Sequence, residues 1–160
     1  MSKKELNIKK LILIGRSEAG KTTLTQALRG ENIRYEKTQA ISYSNILIDT
    51  PGEYIQTRQF GAAIALYAYE SDIVGLLASA TEPYTLFSPN VTGMTTREVI
   101  GIVTKIDHPD ARPELAESWL RLAGCEKVFL VSSVTGEGIE KLLQYLSKTN
   151  KNHKKQHNTT

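Results

Sequence analysis

Apolar and polar positions alternate along the chain in two rhythms. Short, nearly unbroken apolar runs at Lys10–Ile14, Asp72–Ser79, Val99–Thr104 and Lys127–Val131 have the length of strands buried on both faces. Between them lie stretches whose apolar residues recur three and four apart, the spacing of one helix face. Gly20–Arg29 predicts a helix that opens inside a glycine loop and closes at Gly30. Arg112–Ala123 puts Leu115, Trp119, Leu120 and Ala123 on one face and stops at Gly124. Gly138–Ser147 turns Ile139, Leu142, Leu143 and Leu146 inward, and Thr57–Tyr69 also reads as helical. Ala40–Tyr43 and Asn45–Asp49 predict a short pair of strands around a tight turn, with a chain break at Thr50–Gly52. The polar stretch Glu31–Gln39 predicts a mobile loop. Glu82–Thr96, with Pro83, Pro89 and Gly93, has room for at most a short helix. Strands alternating with helices, without internal repeats, predict an α/β domain with a mainly parallel sheet.

Composition narrows this little, but charge placement does. The 160 residues fit one domain, residues 1–147, with one sizeable core. The formal net charge is +3, and the tail Lys148–Thr160 (KTNKNHKKQHNTT) carries four lysines and no acid, so the body is near −1. A near-neutral body argues against nucleic acid as a partner. The polar tail predicts disorder. A single cysteine, Cys125, suits a reducing cytosol and reads as a core residue. The apolar run Leu11–Ile14 is too short for a signal peptide or a membrane span, so a cytoplasmic protein without a transmembrane segment is expected.

Four motifs carry chemistry. Gly15–Thr22 reads G-x-x-x-x-G-K-[ST], with a strand before it and a helix after it. A triphosphate needs several backbone N–H donors, which a loop of Gly15, Arg16, Ser17, Glu18, Ala19 and Gly20 can curl around it. The following helix, opening with Lys21, Thr22 and Thr23, points its positive end at the phosphates. Lys21 is expected at the β and γ phosphates, and the Thr22 hydroxyl on Mg²⁺. The second motif, Ile46–Gly52, ends an apolar strand in Asp49, which would hold the magnesium. Gly52 would bring a backbone N–H to the γ-phosphate. The third, Thr104-Lys105-Ile106-Asp107, ends a strand in a carboxylate that can accept two hydrogen bonds from guanine, a pair adenine does not offer. The Lys105 stem can lie over the base. The fourth, Ser132 and Ser133, can give a backbone N–H to the guanine O6, although a Ser-Ser turn is also ordinary helix-entry chemistry. Thr38, in the polar loop, could close over magnesium and the γ-phosphate as a switch.

In this order the motifs resemble the GTPase branch of P-loop proteins across residues 10–147. That resemblance implies a three-layer P-loop fold, a small G-domain with helices on both faces of the sheet and the nucleotide at the strands' carboxyl ends. The segments Gly15–Thr23, Tyr35–Ala40, Ile48–Tyr54, Val99–Asp107 and Thr81–Asn90 further resemble the EutP/PduV family. The narrower resemblance implies a role beside ethanolamine or propanediol utilization and association with bacterial microcompartments, with GTP or GDP (ATP or ADP in the alternative) and Mg²⁺ as ligands. A shell or enzyme partner would read residues 31–60. An acetate kinase activity, ATP from acetyl phosphate and ADP, is also implied by that family. A third reading is an interaction module that binds nucleotide only for stability.

The departures shape the chemistry. Glu53 stands where many GTPases place a water-orienting glutamine. Its carboxylate can accept a proton from water but is repelled by the γ-phosphate, which predicts slow hydrolysis. Glu18 stands where potassium-stimulated GTPases use asparagine. Either a neighbour such as Arg16 offsets it or it turns outward into solvent. Thr104 in place of asparagine, and Val134 where lysine is frequent, weaken the base contacts without removing Asp107.

Overall fold

The computed structural model describes residues 10–16, 19–39, 47–49, 64–65, 68–69 and 71–148. Among the described residues five strands form one sheet: β1 (Leu11–Ile14), β2 (Leu47–Asp49), β3 (Ile73–Ser79), β4 (Glu98–Thr104) and β5 (Val128–Leu130). Their order is β2-β1-β3-β4-β5, and every pairing is parallel. Parallel neighbours require long crossovers. Helix α1 (Lys21–Gln39) joins β1 to β2, and α2 (Pro113–Leu122) joins β4 to β5. Helix α3 (Ile139–Lys148) follows β5. The stretch after β3 holds only a short 3₁₀ turn, Val91–Met94, as its prolines require.

Period-two alternation sorts the strands' side chains into two cores. Leu11, Leu13, Ile73, Leu77, Ile100 and Ile102 pack with Leu24 and Leu28 of α1 and with Ile139, Leu142 and Leu146 of α3. Ile12, Ile14, Val74, Leu76 and Val103 pack on the other face with Ala116 and Leu120 of α2 and with Ile64 and Ala68. The sheet is thus covered on both faces, the three layers expected. Gly101 is the point of closest approach for α2, since a Cβ there would lie 3.1 Å from Leu120 Cβ. Cys125 is buried as expected. Burial pushes its thiol up to about 12, so it stays protonated near neutrality.

Three expectations change. Helix α1 does not close at Gly30 but runs on to Gln39, so Glu31–Gln39 is helical and not a loop. Gly30 is absent from the left-handed residues, and nothing stands within 4 Å of where its Cβ would be. An exposed glycine in right-handed backbone costs a helix only about 1 kcal/mol, which the following helix-compatible residues absorb. Thr38 therefore lies near the end of α1. Leu115 faces solvent, and Ala116 takes its place against the sheet beside Leu120. The proposed strand Ala40–Tyr43, residues 45–46 of the next strand, most of the helix Thr57–Tyr69 and the tail beyond Lys148 lie outside the described residues.

Candidate functional site

All five strands point their carboxyl ends the same way, so the loops after β1, β3, β4 and β5 and the end of β2 lie at one edge. After β1 the chain turns at Gly15, where a Cβ would stand 2.8 Å from Leu77 Cβ and 3.0 Å from the Leu77 carbonyl oxygen. Only glycine lets the loop pass this close to β3. The loop folds back through the Ala19 N–H, which donates to the Arg16 carbonyl at 3.0 Å. Gly20 takes the left-handed backbone, φ 92°. Helix α1 then starts at Lys21, its first turn closed by the Leu24 N–H on the Gly20 carbonyl at 2.8 Å. The helix N-terminus therefore opens onto the loop, where its positive end favours an anion. Lys21 is buried at 5% exposure, whereas Thr22 and Thr23 are exposed. Asp49 ends β2 in register with Leu13, which brings its backbone to the same edge one strand away.

The turn after β4 is tied to this loop directly. Thr104, buried at the end of β4, donates its hydroxyl to the Ala19 carbonyl at 2.6 Å. Lys105 follows in left-handed backbone, φ 59°. Its Cε lies 3.9 Å from where a Cβ on Gly20 would be, so the lysine stem runs along the loop. Asp107 is exposed, and its Oδ1 accepts the Ser132 hydroxyl at 2.8 Å. Fully buried Ser132 accepts the Thr135 N–H at 3.1 Å through the same oxygen, and Ser133 is half-buried beside it. The structure thus brings Gly15, Arg16, Ala19, Gly20, Lys21, Thr104, Lys105, Asp107, Ser132 and Ser133 to one edge.

Thr38 is not brought there. It stands sixteen residues after Thr22 on one helix, about 24 Å along the axis at 1.5 Å per residue. Helix geometry, not side-chain choice, separates the two. Ser17, Glu18, Gly52 and Glu53 lie outside the described residues. Arg16, the suggested offset for Glu18, stacks its guanidinium over the Tyr84 ring at 4.1 Å to the centroid. Tyr84 and Glu82 are neighbours of the loop that no motif announced. Burial raises the Glu82 carboxyl, while the Ser79 N–H, Arg16 and Lys105 act the other way. The only signal for them in the sequence was the stretch Thr81–Asn90, which gave a family likeness and no role.

Magnesium chemistry fits the donors present. Mg²⁺ keeps several waters and is commonly held by one or two protein oxygens together with substrate phosphates. Among the described residues no group of three or more histidine, cysteine or acidic side chains could cage a metal. Thr22, in the first turn of α1, and Asp49, at the end of β2, are oxygen-bearing residues that the backbone carries to this edge.

The chain is similar to several known proteins. A family described as "Ethanolamine utilisation - propanediol utilisation" matches residues 8–148. The chain is 45% identical over 141 residues to "Propanediol utilization protein PduV" of Citrobacter freundii, spanning 88% of this chain and 94% of that one. It is 29% identical over 148 residues to "Probable acetate kinase EutP" of Escherichia coli K12, spanning 90% of this chain and 92% of that one. "GTPase Der" of Leuconostoc citreum is 27% identical over 156 residues, spanning 85% of this chain and 35% of that protein. With such relatives, the three-layer fold is that of a P-loop G-domain.

Proposed function

The chain belongs to the ethanolamine utilisation–propanediol utilisation family, and from that premise we propose that it is a GTP-binding protein, a slow GTPase switch serving that metabolism. The observation that supports it most is the join between phosphate loop and base motif. Thr104 bonds to Ala19, and the turn it begins carries Asp107, already oriented by Ser132. A carboxylate held in place can take the paired donors of guanine without further ordering cost, and adenine would leave it unmatched.

In this reading the backbone of residues 15–20 and the end of α1 hold the phosphates, and Lys21 meets the β and γ oxygens. Thr22 and Asp49 would hold Mg²⁺, which when bound offsets the phosphate charge. Gly52 would give its N–H to the γ-phosphate. Thr38 is left out, because α1 keeps it at the far end of the helix. The partner surface within residues 31–60 begins with the last turns of α1. Its reader belongs to the utilisation machinery, a microcompartment shell protein or enzyme, and the reading places the protein in the cytoplasm. Among the described residues no helix is long and apolar enough to cross a membrane.

Nucleotide preference tests the reading. GDP should bind the purified chain at least about a hundredfold more tightly than ADP, since an unmatched buried polar contact costs several kcal/mol. Asp107→Ala should erase the difference. A preference for ADP with turnover of acetyl phosphate would replace this reading by the phosphotransferase one, the activity in the name of the Escherichia coli relative. Hydrolysis is a separate matter. With Glu53 following Gly52 where many GTPases have a water-orienting glutamine, single-turnover GTP hydrolysis should run at roughly 10⁻⁴ to 10⁻³ s⁻¹ without partners, and a rate of about 1 s⁻¹ would refute slow hydrolysis.

A further inference from the structure

Tyr84 is an aromatic ring that the core does not use. It is 57% exposed and belongs to neither packed cluster. Its place is nevertheless fixed from both sides. The turn before it is fastened to β4 and to the start of α2. There the Ala80 N–H donates to the Thr104 carbonyl at 2.9 Å, and the Arg112 N–H donates to the Ala80 carbonyl at 2.7 Å. Within the turn the Glu82 N–H donates to the Ser79 carbonyl at 3.1 Å, and the Glu82 carboxylate accepts the Ser79 N–H at 3.1 Å. Just after Tyr84, Phe87 is buried in the core with Ile12 and Val74, and its N–H donates to Thr85 Oγ1 at 3.1 Å. The ring is thus a fixed platform at the surface. What stands on it is the Arg16 guanidinium, 4.1 Å from the centroid.

Arg16 is the second residue of the phosphate loop, and such a loop needs holding. Several N–H groups aimed at one point bring like ends of dipoles together, and only an anion rewards that arrangement. Before the anion arrives, contacts from outside must keep it. Gly15 lies against Leu77 of β3, and the Ala19 carbonyl accepts the Thr104 hydroxyl of β4 at 2.6 Å. These two contacts fix where the loop enters and where it leaves. Arg16 adds a hold near the entry. Its carbonyl accepts the Ala19 N–H at 3.0 Å, and its side chain is set on Tyr84. A planar guanidinium suits a ring face and is pre-organised for it.

We propose that Tyr84 is a positioning residue of the nucleotide site, a platform that takes the Arg16 side chain and so keeps the loop's amides arranged for phosphate before any ligand binds. The proposal rests on the GTP-binding reading and adds to it a residue outside the four motifs. Its effect is bounded by the strength of the contact. Without the platform the loop divides its time among arrangements, and apparent affinity falls with the fraction that stays competent. A cation over an exposed ring shifts such an equilibrium by about two- to fivefold. The loop serves phosphates, so the loss falls equally on every ligand that carries them, and the preference for guanine does not move. A ring that itself touched the base would do the opposite.

Tyr84→Leu removes the ring face and keeps an apolar side chain. The full chain is titrated with a fluorescent GDP and Mg²⁺, and then with ADP and inorganic tripolyphosphate as competitors. All three should bind the variant about two- to fivefold more weakly, with the ratio of GDP to ADP affinity as in wild type. Tyr84→Phe keeps the face and should restore the wild-type affinity. In a chain carrying Arg16→Met, Tyr84→Leu should cost nothing more, because the two residues act through one contact. A loss under twofold, a gain in affinity, or a loss that spares tripolyphosphate would each overturn the proposal. So would a Tyr84→Phe variant as weak as Tyr84→Leu, or an undiminished loss in the Arg16→Met chain. If Tyr84→Leu does not fold, Arg16→Met decides alone, and an unchanged affinity of that variant for tripolyphosphate overturns the proposal. If wild type binds none of the three ligands, the GTP-binding reading itself falls, a different result from any of these.

Discussion

At the scale of single residues, Thr104 changes its role when the fold is known. By sequence it is a shortened stand-in for asparagine and a weaker base contact. In the structure its hydroxyl donates to the Ala19 carbonyl at 2.6 Å and joins β4 to the phosphate loop. Thr104→Val preserves the shape and deletes that donor, leaving a carbonyl in a buried place without it. Such an orphaned acceptor costs about 1–3 kcal/mol, so urea unfolding of the ligand-free protein should show a loss of that size. Thr104→Ser should retain most of the stability, and a Val variant as stable as wild type would mean the bond contributes nothing. Sequence reading reached Asp107, Lys21 and the glycines because each is written into a local motif. It missed Tyr84 because its meaning lies in a contact with Arg16, far away in the chain.

At the scale of elements, strands and buried helices were legible because their periodicity is strong. Leu11 to Ile14 divides between two cores as alternation requires, and Ile139, Leu142, Leu143 and Leu146 all turn inward. Helix ends were less legible. Gly30 looks like a stop signal, but a glycine stops a helix when it adopts left-handed backbone, and Gly30 does not. The same distinction makes the extended α1 testable. In right-handed, exposed backbone with open space at its Cβ, Gly30→Ala should stabilise the protein by about 0.5–1 kcal/mol in denaturant unfolding. If α1 ended there on a left-handed glycine, the same change would destabilise. The misplacement of Thr38 follows from this one residue, since a helix that stopped at Gly30 would have left Thr38 in a loop able to approach the loop at Gly15.

For the whole molecule, the phosphate loop is a junction between elements far apart in sequence. Gly15 passes against Leu77 of β3, Ala19 is bonded to Thr104 of β4, and Lys21 begins α1, which packs in the same core as Leu77. A ligand that fills this junction engages only the folded chain and should stabilise all of it. At a hundred times the dissociation constant the gain is about 2.7 kcal/mol, or roughly 5–10 °C of melting temperature for a domain of this size. Mg²⁺ and GDP should produce that shift in wild type. Lys21→Met separates function from stability. The side chain is 5% exposed at the first residue of α1, next to the loop. Methionine keeps the stem's volume and drops the charge. The variant should show no shift with nucleotide. A retained shift would refute Lys21 as the phosphate-binding lysine. A ligand-free melting temperature several degrees below wild type would show that the buried ammonium serves the fold as well as the ligand.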